Sequence, residues 1–214
     1  MAVDFEHLVG RFIKLRVLSS PVVVAGLGRC GTSLVFDSIR RAGLRRSMEG
    51  ERLDALHNIQ NGMVYKTHDY PPESFPAKAK LVFLFGNPMD IAVSAHRKIN
   101  EWGAMHHRHC RSDCFLANDQ ILHEDSLQLS RMFDAWMRPH SFEFASLRYE
   151  ALFQAEVHAR LCEYLGFKLI LPPYERRQAD WRSHSHAETL EAVYGGLWER
   201  VQRAGDMQIW SANI

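Results

Sequence analysis

The chain has 214 residues, 46% of them apolar, and 26 Lys and Arg stand against 25 Asp and Glu for a formal net charge of +1. Such a length and apolar content suit one domain, 1–214, with a sizeable core, and so even a charge balance excludes a global field for nucleic acid or an anionic membrane. No apolar run approaches the ~20 residues of a membrane span and Met1 opens no signal-peptide pattern, so a soluble, cytoplasmic protein is expected.

Phe5, Leu8, Val9 and Phe12 recur at helical spacing, which predicts a packing helix with a solvated basic edge at Arg11, Lys14 and Arg16. Val22–Ala25 reads as a buried strand that runs into a glycine-rich turn and then a helix over Thr32–Ala42, with Gly43 as its stop. Gly26 and Gly31 have the G-x-x-x-x-G spacing of a P-loop. The Lys that should follow is Thr32, with Ser33 next, and the cation stands inside the loop at Arg29. A Walker lysine reaches the β- and γ-phosphates and the hydroxyl after it holds Mg²⁺. Without that lysine the loop can still wrap one phosphate with backbone N–H groups at a helix N-terminus. Arg40, Arg41, Arg45 and Arg46 are expected at the far end of this helix, where they complement its dipole.

Met63–Lys66 reads as a short strand followed by His68 and a Pro71-Pro72 turn. Lys80–Phe85 is a near-continuous apolar run, the pattern of a strand buried on both faces. It ends in Gly86 rather than in the Asp that helps hold magnesium in a Walker NTPase, and Asp90 is expected to cap the next helix, which runs to about Glu101. Further elements are a helix over Leu127–Met137 stopped by Pro139, a strand over Phe142–Leu147, a helix over Val157–Leu165 closed by Gly166, and a last helix over Ala187–Ala204. Strands that alternate with helices predict a parallel sheet covered by helices, and such sheets bind ligands at the carboxyl ends of their strands. Gly28–Ser33, His68 and Gly86 all follow strand ends and so converge on one crevice. His106, His107, His109, Cys110 and Cys114 fit no standard zinc spacing and read as an acceptor-binding or mobile loop. Cys30 and Cys162 suggest no disulfide framework.

Gly28-Arg29-Cys30-Gly31-Thr32-Ser33-Leu34 resembles the 5′-phosphosulfate loop of the sulfotransferases that use 3′-phosphoadenosine 5′-phosphosulfate (PAPS), usually G-[RK]-S-G-T-[ST]-[LW]. Tyr65-Lys66-Thr67-His68 resembles the family's K-T-H strand end. Asn87-Pro88-Met89-Asp90-Ile91-Ala92-Val93-Ser94 resembles R-N-P-x-D-x-x-x-S with Gly86 in the place of the Arg, and Leu147-Arg148-Tyr149-Glu150-Ala151-Leu152 resembles L-R-Y-E-D-L. The segments keep the family's order across roughly two thirds of the chain, which chance matches would not do.

The resemblance implies a P-loop-like α/β fold with a central parallel sheet flanked by helices, PAPS as co-substrate, PAP as product and no metal. Sulfuryl transfer requires deprotonation of the acceptor, stabilisation of charge on the equatorial oxygens and neutralisation of the leaving phosphate, by analogy with phosphoryl transfer. His68 is the candidate base, because imidazole titrates near neutrality. Lys66, two residues earlier on a strand, shares its face, and Arg29 is the cation of the loop. The resemblance gives these positions the roles of base and of transition-state or leaving-group cations. It further implies that Gly28, Arg29, Cys30, Gly31, Thr32, Ser33 and Leu34 hold the nucleotide, that Ser94 meets its 3′-phosphate and Tyr149 its adenine, and that Arg182 closes over the 3′-phosphate from a C-terminal segment, with Arg176 and Arg177 as rivals and the usual R-K-G-x-x-G motif missing. Leu34 stands where many members have a Trp beside the adenine. Arg97 is a further candidate for the charge missing at Gly86, being three residues from Ser94 and hence on the same helix face. The acceptor is a small molecule, carbohydrate or lipid headgroup. The competing readings are a degenerate protein that binds PAP without turnover, and a P-loop nucleotide kinase, against which the missing Walker lysine and strand-end Asp both speak.

Overall fold

The computed structural model describes residues 20–46, 59–98, 119–174 and 180–213. The helix expected around Phe5–Phe12, the His106–Cys114 cluster and the rivals Arg176 and Arg177 lie outside the described residues. The strands are β1 (Val22–Gly26), β2 (Arg45–Arg46), β3 (Met63–Thr67), β4 (Lys80–Phe85), β5 (Phe144–Arg148) and β6 (Met207–Trp210). The helices are α1 (Thr32–Arg41), α2 (88–98), α3 (Gln120–His123), α4 (Leu129–Trp136), α5 (Ala155–Leu165) and α6 (Ala187–Arg203).

The expected α/β architecture is present: the described residues form one six-stranded sheet in the order β2-β3-β1-β4-β5-β6, flanked by helices. All neighbours are parallel except β5 and β6. The reason is legible in the strands themselves. Every residue of β1 and five of the six in β4 are buried, so neither strand has a face that tolerates water. From β1 the chain builds outward to β2 and β3 on one side, then crosses to β4 and β5 on the other. The strand order therefore reverses beside β1, and a crevice opens there at the carboxyl ends.

Register sets what lines that crevice. Ala25 pairs with Thr67, Gly26 with Leu84, and Phe85 with Arg148. The segments that follow β1, β3, β4 and β5 thus leave the sheet at one level, and with them Leu27, His68, Gly86 and Tyr149. Beneath them lies an aromatic stack: Phe83 on Trp136 at 4.9 Å and Phe144 on Trp210 at 5.5 Å, with Trp136 and Phe144 at 5.9 Å.

Several boundaries differ from the sequence reading for identifiable reasons. Helix α2 starts at 88, with Pro88 in the first helical position where its missing N–H costs nothing. Its cap is Asn87, whose Oδ1 accepts from the amides of Met89 (3.0 Å) and Asp90 (3.4 Å), and not Asp90. The Asp90 carboxylate instead accepts from the Trp181 amide at 3.2 Å. Helix α4 starts two residues late because the Asp125 carboxylate takes the amides of Leu129 and Ser130, both at 2.8 Å. Arg40 and Arg41 do lie in the last turn of α1, but Arg45 and Arg46 do not: their backbone pairs with Met63 and Val64 as the edge strand β2. Strand β6 was not expected. After α6 the chain turns back at Gly205 and Asp206, where the Asp206 carbonyl accepts the Arg148 amide at 2.8 Å and its carboxylate pairs with the Arg148 guanidinium.

His140 extends the aromatic stack. Its ring lies on Phe142 at 4.9 Å, and Nε2 donates to the Trp136 carbonyl at 3.3 Å. Burial, and then the charge of Arg138, lower its pKa against an opposing pull from hydrogen bonds to helix carbonyls. His184 is lowered too, by burial and by its neighbours His186 and His96. Both groups bind a proton more readily unfolded, near the ordinary value of 6.5. Their stabilisation is therefore complete above that pH and is lost as the pH falls below it. The melting temperature should drop between pH 7 and pH 5, and drop less in His140→Phe; an equal drop in both proteins would remove His140 from this account.

Candidate functional site

The loop after β1 is bound tightly to the sheet. The Leu27 amide donates to the Leu84 carbonyl at 3.0 Å, one residue beyond the strand. A Cβ on Gly26 would lie 2.5 Å from that carbonyl oxygen, so only glycine permits the approach. Arg29 and Gly31 are left-handed, at φ 63° and 83°. The first bond of α1 runs from the Val35 amide to the Gly31 carbonyl at 3.1 Å, so the amides of Thr32, Ser33 and Leu34 precede the helical ladder. No side chain caps this end and no acidic residue lies in its first turn. The positive end of the dipole therefore has no anionic side chain of its own element against it.

A cation stands there instead. Lys66, from β3, donates from Nζ to Ser33 Oγ at 3.2 Å. Placing an ammonium at a helix N-terminus is unfavourable unless an anion joins it. His68 follows β3 directly, and its Nδ1 lies 2.7 Å from the Gly26 carbonyl oxygen. A carbonyl can only accept, so Nδ1 carries the proton and Nε2 is the basic nitrogen of the neutral ring. The residue after it is held from both sides: the Asp69 amide donates to Thr67 Oγ1 at 3.1 Å, and the indole of fully buried Trp136 donates to the Asp69 carbonyl at 3.1 Å. The aromatic stack thus fixes the turn that carries His68.

Across the crevice, Arg29 Nε donates to Ser94 Oγ at 2.9 Å, joining the loop to the middle of α2. The Tyr149 ring packs so closely on Gly31 that a Cβ there would come within 2.2 Å of it. From Tyr149 an aromatic row leads outward through Phe153 (6.2 Å) to Tyr174 (4.9 Å from Phe153). Glu150 accepts the Asn87 amide at 3.1 Å, and a Cβ on Gly86 would lie 3.0 Å from the same carboxylate.

The structure therefore brings Gly28, Arg29, Gly31, Ser33, Lys66, His68, Ser94 and Tyr149 together. Other expected residues stand apart from the opening. Cys30 is fully buried, and its thiol donates inward to the carbonyls of Leu27 and Leu84, so only its backbone faces the loop. Thr32 is buried with its methyl against Gly26, and Leu34 packs partly against the core. Arg182 is exposed and its guanidinium lies over the Trp181 ring at 4.8 Å, on a segment tied to α2 through Asp90. Arg97 is exposed one turn beyond Ser94. Glu150 and Trp136 were missed as contributors. The Y-E pair after β5 was visible, but nothing in sequence tells which amide a glutamate takes. Among the described residues no three His, Cys, Asp or Glu side chains gather as a metal site, and no helix is long and apolar enough to cross a membrane.

No family model and no curated protein matches the chain. Among solved structures, the mouse sulfotransferase SULT7A1 complexed with PAP is similar, with a TM-score of 0.41 and 17% identity over 82% of this chain and 68% of that one. A sulfotransferase from Alicyclobacillus acidocaldarius is similar with a TM-score of 0.44 and 16% identity, over 85% of this chain and 99% of that one.

Proposed function

We propose that this protein is a sulfotransferase that moves a sulfuryl group from PAPS to a hydroxyl or amine. The observation that carries the reading is that Lys66, in β3, reaches Ser33 at the uncapped N-terminus of α1 while His68, just after β3, reaches the Gly26 carbonyl where the loop begins. The 5′-phosphate lies against the amides that open α1, and Lys66 neutralises charge on the sulfuryl oxygens and the leaving phosphate. His68 Nε2 takes the proton of the acceptor as its oxygen or nitrogen bonds to sulfur. The bond from sulfur to the phosphate oxygen breaks, and PAP leaves. Tyr149 packs the nucleotide, and Arg182 closes over it from its segment. The proposed reaction uses no divalent ion, since β4 ends at Phe85 and is followed by Gly86, with no strand-end carboxylate in the place where a Walker NTPase holds magnesium. A cytoplasmic location and a small-molecule, carbohydrate or lipid-headgroup acceptor belong to the same proposal.

One observation favours a second reading, that of a PAP-binding protein without turnover: the position of the family's arginine is glycine, with a carboxylate beside it. A kinase is disfavoured because Thr32, at the Walker lysine position, is buried and carries no amine.

Nucleotide choice tests all three. PAP and PAPS should raise the melting temperature more than ATP or GTP with Mg²⁺, by the mass action of a ligand that binds only the folded state, about 2.7 kcal/mol at a hundredfold excess over Kd. A larger shift with ATP would favour the kinase. Release of PAP from PAPS in the presence of a library of hydroxylated and amine acceptors, insensitive to EDTA, is expected of the enzyme. Binding of PAP with no release against any acceptor would leave the second reading.

A further inference from the structure

We propose that Arg131 selects the acceptor, and that the acceptor carries an anionic group, a carboxylate, sulfate or phosphate, besides the hydroxyl or amine that takes the sulfuryl group. This rests on the transfer reaction proposed above. The two faces of the sheet divide the site. Lys66 pairs with Val24 and Val24 with Val82, so these side chains share one face, and on that face Lys66 reaches Ser33 at the start of α1. Thr67, Ala25 and Phe83 share the other face. There α4 lies, with Trp136 stacked on Phe83 at 4.9 Å and Phe133 against Phe85 at 5.4 Å. A sulfuryl donor seated at α1 takes the first face. In-line displacement sets the acceptor opposite the leaving group, so the acceptor comes from the α4 side.

Three side chains meet on that side. Phe133 packs at Phe85, the last residue of β4, and Trp136 at Phe83, so α4 runs back along the strand and its first turn lies beyond the carboxyl end of the sheet. Tyr70, two residues after His68, donates from its hydroxyl to Gln128 Oε1 at 2.8 Å, while the Trp136 indole holds the Asp69 carbonyl at 3.1 Å. The turn that carries His68 is thus fastened to both ends of α4. Arg131 stands beside the first of these ties: its guanidinium lies over the Tyr70 ring at 5.4 Å and Nη1 reaches Gln128 Oε1 at 3.5 Å. Gln128 is left-handed, φ 53°, a state that among the described non-glycine residues only Arg29 shares. Such backbone strain gathers at ligand sites. Arg131 is exposed, and among the described residues no carboxylate pairs with it. Asp125, the acid at this end of the helix, is taken up by the amides of Leu129 and Ser130. A guanidinium in the first turn of a helix works against the dipole unless an anion joins it, and its planar donors fit a carboxylate or a phosphate.

The test is release of PAP from PAPS with the acceptor library arranged in matched pairs, such as 4-hydroxyphenylacetate against its methyl ester and glucosamine 6-phosphate against glucosamine, for the wild type, Arg131→Ala and Arg131→Lys. The wild type should favour the anionic member by about tenfold or more in kcat/KM, the scale of one charge-assisted hydrogen bond. Arg131→Ala should bring the two members within about threefold of each other, through a higher KM for the anionic one, and Arg131→Lys should keep part of the preference. PAP affinity, read by calorimetry, should stay within about threefold in both variants, which establishes that they fold. A wild type that uses the neutral members equally well, or an Arg131→Ala protein that keeps the tenfold preference, would overturn the inference and leave the transferase reading standing. Binding of PAP with no release against any member would overturn both.

Discussion

His68→Ala is expected to lower sulfuryl transfer by about 10²–10⁴-fold, the usual contribution of a positioned general base, while PAP affinity stays within about threefold. The asymmetry follows from the proposed chemistry. The base acts on the acceptor, which is absent from the binary nucleotide complex, and Nδ1 of the ring is bonded to the Gly26 carbonyl. His68→Gln sharpens the test, because a glutamine amide can still donate but has no nitrogen that takes up a proton near neutral pH. It should keep the fold and the affinity and still fail to turn over. Full turnover in either variant would send the search for the base to His96, or to the His106–His109 stretch outside the described residues. A loss of nucleotide affinity as large as the loss of rate would mean that His68 acts through the loop, not on the acceptor.

Gly31→Ala should abolish nucleotide binding and lower the melting temperature. Two costs add at this position. A φ of 83° disfavours any side chain, by about 1–2 kcal/mol. The new Cβ would also stand 2.2 Å from Tyr149 Cδ2 and 2.3 Å from Cε2, a distance no packing tolerates. Tyr149 opens the turn whose carbonyl bonds the Leu152 amide, and its neighbour Glu150 holds the start of α2, so the ring cannot yield without disturbing that region. Gly196 is the internal comparison. It lies exposed within α6, and a Cβ there meets nothing within 4 Å. Gly196→Ala should therefore stabilise the protein by roughly 0.5–1 kcal/mol, the helix propensity difference. Similar effects at the two glycines would show that Tyr149 does not bear on the loop as described.

Much of this architecture was readable because it is written in patterns of one or two residues. β1 is apolar throughout and β4 is so after Lys80, as buried parallel strands must be, and Lys80–Phe85 has the same bounds in sequence and structure. The approach of Lys66 and His68 to the loop after β1 follows from their place at the end of β3, the neighbour of β1. What could not be read depends on partners distant in sequence. Strand β6 is short and half-exposed, and becomes a strand only because β5 offers an open edge. Asn87 and Asp90 are both good caps in isolation; the choice between them was settled by Trp181, 91 residues away, whose amide takes the Asp90 carboxylate. Arg29 is the clearest case. Its place inside a phosphate loop was evident, but the bond to Ser94 spans 65 residues and follows from a left-handed φ that no arginine announces.

Cys30 adds a property of a different kind. Where the loops it resembles carry a serine, this one has a thiol at its centre, fully buried and hydrogen-bonded to carbonyls of β4 and of the loop itself. A thiol so enclosed is inert in the closed loop and reacts only during the intervals in which the loop lifts from the sheet. The rate at which an alkylating reagent marks Cys30 therefore counts those intervals. An anion seated on the helix end, by holding the loop down, lengthens the wait. The buried thiol is a clock for the breathing of the site, and it reports on occupancy without taking part in the chemistry.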